Sequence, residues 1–187
     1  MGELTSGHIF AGGGGDTEGA IAAGYKPIWG VENDKYAASV YRKRFPDVNL
    51  IEQDIQDIPD EFILTLPTPD ITIWGSPCPD FSVAGKRAGI DGTRGKLFFE
   101  GLRFIRVQLP PAFLFENVDG LLSADKGATF PKVIQAFTDL GYCCTWQLRN
   151  GNRHVPQNRE RIFIVGYHRG SEGDRAQARK EVFTGIA

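Results

Sequence analysis

Cysteine is scarce in this sequence: Cys78, Cys143 and Cys144 are its three representatives among 187 residues. The number is odd and two of the three are adjacent, so neither a disulfide framework nor a zinc site with about four spaced ligands is indicated. The sequence therefore predicts no metal site and a protein of the reducing cytoplasm. The pair at 143–144 lies in the apolar segment YCCTW, which predicts two small core residues.

Long hydrophobic runs are missing as well. No stretch of about 18 apolar residues occurs, so no membrane-spanning helix is expected, and the first 30 residues show no signal-peptide pattern. Hydrophobic residues make up 41% and charged residues 24% of the chain, as in ordinary globular proteins. The length predicts one domain over residues 1–170, with residues 171–187 as a polar tail or the start of a further region.

An excess of positive charge is also missing, because 21 basic and 23 acidic residues give a net charge of −2. This balance argues mildly against a nucleic-acid-binding surface over the whole protein. The basic residues are nevertheless concentrated in two segments, 86–96 and 149–161, each with four basic residues and one acidic residue. These segments predict either a local anion-binding face or two solvated loops.

Short β-like runs alternate with helical patterns along the chain. Strands are predicted at 7–11, 26–32, 48–51, 70–74 and 112–115, followed by an antiparallel pair at 142–148 and 162–167. Helices are predicted at 16–23, 34–45, 97–109 and 130–140, the first capped by Asp16 and Thr17. The apolar face of the second is predicted to comprise Tyr36, Ala37, Val40, Tyr41 and Phe45. The alternation predicts an α/β fold with a doubly wound, mostly parallel sheet and a final antiparallel strand pair.

Ligands of such sheets bind beyond the carboxyl ends of the strands. The glycine run 12–15 follows the first predicted strand, and Glu32 ends the second. Glycines allow a ligand close to the backbone, and an acid about 20 residues later can accept hydrogen bonds from ribose hydroxyls. The two features indicate a nucleoside cofactor, and the alternative is a plain glycine turn beside a solvated Glu32.

Three later strand ends carry further reactive side chains. Cys78 lies in a proline-flanked turn, which suits a nucleophile or a packed thiol. Glu116 ends an apolar strand, where burial would raise its pKa and let it act as an acid near neutral pH, unless it braces a loop. Gln157, Arg159 and Arg161 alternate with other residues, so they share one side if the segment is extended. The two arginines could then bind an anion or a base edge, or form an ion-pair ladder with Glu160.

Seven segments, taken in chain order, resemble the cytosine-5 DNA methyltransferase family. They are FAGGGG, VENDKYA, QDI, SPCPDFS, TRGKLFFE, FENV and QNRER, and they extend from about His8 to Tyr167. The resemblance implies a Rossmann-like methyltransferase fold with S-adenosylmethionine as cofactor. It further implies DNA methylation of the restriction–modification kind, in the cytoplasm of a prokaryotic or phage-infected cell.

The resemblance also assigns residues to the cofactor. Phe10 would cover the adenine, Gly12 and Gly14 would border the methionine part, and Glu32 would hold the ribose hydroxyls. Asp54 would accept a hydrogen bond from the adenine amino group. The full set of cofactor-binding residues implied in this way is Phe10, Ala11, Gly12, Gly14, Glu32, Asn33, Asp54, Ile55, Pro77 and Leu97.

The catalytic residues implied by the resemblance are Cys78, Glu116, Arg159 and Arg161. The Cys78 thiolate would add to carbon 6 of a cytosine flipped out of the duplex. Glu116 would hydrogen-bond to ring nitrogen 3 of the cytosine or protonate it, and the two arginines would bind the carbonyl oxygen of the same base. Pro79 stands where the family usually has glutamine, so this position departs from the pattern.

Family members continue beyond the last matching segment with a target-recognition domain. A second polypeptide that supplies this part, or self-association, is therefore expected. The alternatives are a truncated or inactive relative that binds cofactor or DNA, a minimal enzyme with an unusual substrate, and an RNA cytosine-5 methyltransferase. A nicotinamide dehydrogenase would explain the glycine loop and Glu32, but not Cys78 together with Glu116 and the arginine pair.

Overall fold

Seven strands alternate with five α-helices in the described part of the chain, which comprises residues 2–76, 95–153 and 155–170 of a computed structural model. The strands are β1 (Thr5–Ile9), β2 (Lys26–Val31), β3 (Asn49–Ile51), β4 (Ile71–Gly75), β5 (Ala112–Val118), β6 (Tyr142–Asn150) and β7 (Glu160–His168). The helices are α1 (Gly15–Ala22), α2 (Lys35–Arg44), α3 (Asp60–Thr65), α4 (Gly95–Gln108) and α5 (Thr129–Asp139). Short 3₁₀ turns occupy several of the connections.

All seven strands belong to one sheet, in the order β3-β2-β1-β4-β5-β7-β6. The pairings among β1 to β5 are parallel, whereas β7 runs antiparallel to both β5 and β6. This arrangement confirms the predicted doubly wound α/β fold with a final antiparallel pair. The strand order reverses between β1 and β4, which is where open sheets of this type bind their ligands.

An aromatic core fills one face of the sheet, here called the aromatic face. Trp74 of β4 is fully buried there, with its ring centroid 5.5 Å from that of Phe98 on α4 and 4.5 Å from that of Phe115. Helix α4 approaches closely because it carries Gly101 at the contact, where a Cβ would lie 2.1 Å from the Trp74 ring. Helix α5 completes this layer by stacking Phe137 on Phe113 at 4.1 Å.

Helices α1 and α2 cover the opposite face of β1 and β2, here called the second face. Thr17 of α1 donates a hydrogen bond from Oγ1 to the Tyr41 hydroxyl of α2 at 3.1 Å, and Tyr41 is fully buried beside Gly30. The predicted cap of α1 is therefore wrong: Gly14 is the N-cap, at φ 88°, and no side chain caps this end. A glycine supplies this left-handed backbone without strain, so Thr17 is free to face inward.

The second face is not covered over β7 and β6 by any helix of the described segments. Along β7, Ile162 and Ile164 are fully buried on the aromatic face, whereas Phe163 and Val165 are only half-buried and Tyr167 is 62% exposed. Cys143 pairs with Tyr167 and is exposed, while Cys144 is half-buried. The prediction of a core position for Cys143 is thus wrong, because β6 is an edge strand with an uncovered face.

None of the helices in the described ranges is long and apolar enough to cross a membrane.

Candidate functional site

The glycine loop after β1 wraps its backbone around the end of β2. Phe10, Gly12 and Gly14 all have positive φ, at 56°, 54° and 88°. The Ala11 amide donates to the Val31 carbonyl at 3.0 Å, and the Gly12 amide donates to Glu32 Oε2 at 2.8 Å. A Cβ at Gly12 would meet nothing within 4 Å, so the loop leaves open space in which a ligand can approach its backbone.

Glu32 is held by two backbone amides and is only 9% exposed. Its Oε2 accepts from Gly12, and its Oε1 accepts from the Asp34 amide at 2.7 Å. Each carboxylate oxygen has about two acceptor sites, so both oxygens keep a lone pair for hydroxyl donors. The structure thus presents a fixed, bidentate acceptor at the carboxyl end of β2.

Most of the predicted cofactor residues line a single cavity of about 140 Å³ at this edge of the sheet. Its walls include Phe10, Glu32, Asn33, Asp54, Ile55 and Leu97, joined by Val31, Gln53 and Gln56. Asp54 is fixed because its Oδ1 accepts from the Gln56 amide at 2.9 Å and its Oδ2 accepts from Asn33 Nδ2 at 3.4 Å. The volume is below the roughly 300 Å³ of a typical small-molecule site, so this cavity would receive one end of a cofactor.

A second cavity, of about 460 Å³, surrounds the carboxyl group of Glu116 at the end of β5 and is here called the Glu116 cavity. Arg161 of β7 forms an ion pair with this residue, its Nε lying 2.9 Å from Glu116 Oε1. On the other side, Gly75 is the register partner of Glu116 across β4 and β5. The remaining lining residues are Asp16, Arg149, Asn150, Gly151, Arg159 and Phe163.

The pKa of Glu116 is raised above the ordinary value of a glutamate carboxyl. Burial is the main cause, and the negative charge of Asp16 adds to it, whereas Arg161 and Arg159 oppose the shift. The group therefore keeps its proton to a higher pH than an exposed glutamate. Such a carboxyl can donate a hydrogen bond or a proton to a bound base.

Cys78 and Pro77 lie outside the described residues. The chain is described up to Ser76, which follows β4 directly and is buried. Ser76 Oγ accepts a hydrogen bond from Asn117 Nδ2 at 3.1 Å, and Asn117 follows Glu116 on β5. Ser76, the last described residue before Cys78, thus lies at the end of β4 next to the strand that carries Glu116.

Arg159 and Arg161 line the same cavity, as their alternation predicted, although Arg159 precedes the first residue of β7. The alternative ion-pair ladder is not formed, because Arg161 pairs with Glu116 and the Glu160 carboxylate contacts Asn150 at 3.3 Å. Gln157, expected on the same side, is not among the lining residues. Its amide instead donates to the Val155 carbonyl in a turn.

Three polar residues of the Glu116 cavity were missed by the sequence reasoning: Asp16, Arg149 and Asn150. Asn150 organises the connection between β6 and β7, because its Oδ1 accepts from the amides of Asn152 and Arg159 at 3.0 and 3.2 Å. Arg149 is the register partner of Arg161, so two positive side chains lie side by side on one face. The net charge of segment 149–161 was the signal that could have found Arg149.

A comparison with protein families matches residues 4–184 to the C-5 cytosine-specific DNA methylase family. Among curated proteins, the chain is 41% identical over 150 residues to the Type II methyltransferase M1.ScrFI of Lactococcus lactis subsp. cremoris, covering 78% of this chain and 36% of that protein. It is 40% identical over 163 residues to M.Bsp6I of Bacillus sp. (strain RFL6), covering 85% and 50%. The chain thus spans half or less of the length of these relatives.

Solved structures show the same fold at low sequence identity. The Entamoeba histolytica methyltransferase EhMeth superimposes with a TM-score of 0.74 at 16% identity, over 92% of this chain and 55% of that one. The Spodoptera frugiperda DNMT2 mutant gives a TM-score of 0.71 at 20% identity, over 90% and 51%. Since the family match extends over nearly all of the sequence, the chain belongs to the C-5 cytosine-specific DNA methylase family.

Proposed function

We propose that this protein carries the catalytic residues for methyl transfer from S-adenosylmethionine to carbon 5 of cytosine in DNA. The observation that supports this most strongly is the Glu116 cavity, in which a carboxyl of raised pKa is paired with Arg161 at the carboxyl end of β5. Family membership gives the reaction type. The relatives from Lactococcus lactis and from Bacillus phage SPR favour action in the cytoplasm of a prokaryotic or phage-infected cell.

The residues of the 140 Å³ cavity fit the adenosine end of this cofactor. Glu32 would accept hydrogen bonds from the two ribose hydroxyls, and Asp54 from the adenine amino group. Phe10 and Leu97 would enclose the ring, while the open space at Gly12 would pass the methionine part along the glycine loop. When bound, S-adenosylmethionine supplies an electrophilic methyl group on a sulfonium sulfur.

The protein's own side chains make carbon 5 of cytosine reactive. In the proposed scheme, the thiolate of Cys78 forms a bond to carbon 6, and protonated Glu116 stabilises the negative charge by donating to ring nitrogen 3. Arg161 occupies Oε1 of Glu116, which leaves Oε2 to carry the proton. After transfer, a base from solvent takes the carbon 5 proton, the electron pair of that C–H bond restores the double bond between carbons 5 and 6, and the carbon 6–sulfur bond breaks to release Cys78 as a thiolate.

Arg159 and Arg161 would orient the flipped base. A guanidinium presents several N–H donors in one plane and does not lose its charge, so it suits the carbonyl oxygen of cytosine. Both residues line the Glu116 cavity. Each remains charged throughout the reaction, so their role is to bind and position the base rather than to move protons.

Transfer of radiolabelled methyl groups from S-adenosylmethionine tests the proposal and its alternative. We expect label in duplex DNA at carbon 5 of cytosine, and none in RNA of the same sequence. Label in RNA alone would favour the RNA methyltransferase. Cofactor binding without label in either polymer, in the presence of every polypeptide that co-purifies, would favour a non-catalytic binding protein.

The expected second polypeptide stays a prediction, and the uncovered part of the second face supports it. Phe163 and Val165 are half-buried and Tyr167 is exposed on β7, without a covering helix in the described segments. A layered α/β sheet normally buries both faces, so this strip would bind a further polypeptide. Reconstitution with a candidate target-recognition polypeptide should give co-elution and site-specific methylation, whereas robust site-specific methylation by the 187-residue chain alone would contradict the prediction.

Residues 1–170 remain the proposed extent of the catalytic domain.

A further inference from the structure

The glycine loop at residues 12–15 does not fix its own conformation. Glycine adopts positive and negative φ about equally readily, so a run of four leaves the backbone free to turn. Hydrogen bonds to Val31 and Glu32 at the end of β2 hold the amides of Ala11 and Gly12. The next two residues, Gly13 and Gly14, face α2 instead.

The C-terminal end of α2 packs directly on these two glycines. A Cβ at Gly14 would lie 2.2 Å from the ring of Phe45, which is the C-cap residue of α2 and is buried. A Cβ at Gly13 would lie 3.5 Å from the side chain of Val40. The middle of the loop is thus in contact with the last turn and a half of α2.

Arg44, the last residue of α2, makes the polar contacts at this place. Its Nη1 donates a hydrogen bond to the Gly13 carbonyl at 2.7 Å, and its Nη2 donates to Glu18 Oε2 on α1 at 2.8 Å. Its guanidinium carbon lies 4.9 Å from the centroid of the Phe45 ring. The side chain therefore bridges the end of α2, the glycine loop and the first turn of α1.

The peptide unit between Gly13 and Gly14 is held at both of its polar groups. Its carbonyl accepts from Arg44, and its N–H, that of Gly14, donates to the Ala11 carbonyl at 2.9 Å. The unit cannot turn over without losing both hydrogen bonds. Of the two, only the bond from Arg44 depends on a side chain, so only this one can be removed by substitution.

We propose that Arg44 is a positioning residue for S-adenosylmethionine: it holds the peptide unit between Gly13 and Gly14, so that the open space at Gly12 stays available to the methionine part. This inference rests on the proposed function, because it assigns Arg44 to the same cofactor. The ion pair with Glu18 is exposed, at 40% and 61% of the two side chains, and exposed pairs contribute little stability. Its effect is then to direct the guanidinium towards Gly13 rather than to stabilise the fold.

The test compares variants of the full chain, with every co-purifying polypeptide present. Arg44→Gln removes the charge and the long reach, and Arg44→Lys restores a charged donor. Lys43→Gln is the matched control, because Lys43 is an exposed residue of the same last turn and its loss changes the charge equally. Calorimetry gives the affinity for S-adenosylmethionine, and methyl transfer to DNA gives KM and kcat.

Hydrogen exchange of single amides, without cofactor or DNA, reports on the loop itself. The Gly14 amide reads the held peptide unit, and the Ala38 amide, which donates to the Asp34 carbonyl within α2 at 2.8 Å, reads the helix. A general loss of stability would accelerate both amides. Release of the loop alone would accelerate only Gly14.

We expect Arg44→Gln to weaken cofactor binding roughly tenfold, as for the loss of one hydrogen bond from a charged donor. KM for S-adenosylmethionine should rise by a similar factor while kcat at saturating cofactor stays unchanged. Exchange of the Gly14 amide should become faster and that of Ala38 should not. Arg44→Lys should recover part of the affinity, and Lys43→Gln should behave as the parent.

Equal affinity of Arg44→Gln and the parent would overturn the inference, and so would an equal loss in Lys43→Gln or a fall in kcat without a rise in KM. The two proposals fail differently. A parent protein that does not bind S-adenosylmethionine would count against the proposed function, whereas binding that is insensitive to Arg44→Gln would count against the role of Arg44 alone.

Discussion

A Cβ atom added to Gly75 would lie 2.9 Å from Oε2 of Glu116. The two residues are register partners at the ends of β4 and β5, so the carboxyl of Glu116 occupies the space above the Gly75 backbone. Glycine at this position is therefore a condition for the placement of Glu116. In the proposed reaction Oε2 carries the proton, so the close approach concerns the reacting atom itself.

Gly75→Ala should reduce methyl transfer without unfolding the protein. The contact is with the end of a flexible side chain, so Glu116 can turn aside, but its carboxyl then leaves its position beside Arg161. Displacement by about 1 Å can reduce the rate roughly 100-fold. The measurement is kcat together with thermal unfolding, and Gly19→Ala is the matched control because a Cβ there meets nothing within 4 Å. Unchanged turnover in Gly75→Ala would contradict the assigned role of Oε2.

Glu32→Gln should weaken binding of S-adenosylmethionine. The amide keeps the shape but replaces one acceptor oxygen by a donor and removes the charge. Hydrogen bonds to a charged group contribute about 1.5–3 kcal/mol each, so affinity should fall roughly 10- to 1,000-fold. Calorimetry measures this directly, with Glu61→Gln on α3 as a control for lost charge. Equal affinity of Glu32→Gln and the parent would rule out the ribose contact.

Arg149→Gln should weaken DNA binding and lower its salt dependence. Arg149 and Arg161 are register partners across β6 and β7, and like charges placed opposite each other are unfavourable unless an anion lies between or beside them. Loss of one phosphate contact lowers the slope of log K against log salt by about 1. Arg42→Gln, which breaks a surface pair with Glu52, is the control. A slope that stays the same in Arg149→Gln would argue against a phosphate contact.

Stability should fall as the pH drops from about 6.5 to about 4 because of His8. Burial lowers the pKa of His8 to about 4, whereas an exposed histidine titrates near 6.5. In that window the unfolded chain binds a proton that the folded chain excludes, so unfolding is favoured at lower pH, by roughly 3 kcal/mol over the whole window. Urea unfolding at about pH 7 and about pH 4.5 measures this.

His8→Gln is the variant that isolates this contribution from those of the carboxyls. It removes the titrating group but keeps a hydrogen-bonding partner for Ser6, whose Oγ lies 3.0 Å from His8 Nε2. Its loss of stability between the two pH values should be smaller than that of the parent. Parallel losses in both proteins would show that His8 does not carry the effect.

The fold could be predicted from the sequence because apolar runs and helical periods alternate clearly. Helix α3 was missed, since its six residues make fewer than two turns and begin after Pro59 without a capping side chain. The apolar face of α2 was partly wrong: Tyr36 is 86% exposed and Ala38 is buried. The contact between Tyr41 and Gly30 sets the rotation of that helix, and a tertiary contact of this kind is invisible in the local pattern.

Those site residues that lie at the carboxyl ends of parallel strands could be predicted from the sequence. Glu32, Asp54 and Glu116 could be grouped because the carboxyl ends of parallel strands meet at one edge of a sheet. Asp16 and Arg149 reach the Glu116 cavity by other routes, from the first turn of a helix and from an antiparallel edge strand. Their proximity depends on how α1 and β6 pack, and the spacing of residues along the chain does not encode it.

The most direct test of the central claim is covalent capture of the target base. DNA that carries 5-fluorocytosine retains fluorine at carbon 5, so the cysteine cannot be expelled and the adduct persists after methyl transfer. With S-adenosylmethionine and every co-purifying polypeptide present, the parent protein and Cys143→Ala should both form an adduct that survives denaturing electrophoresis. Cys78→Ala should form none. An adduct of equal yield with Cys78→Ala would show that Cys78 is not the nucleophile.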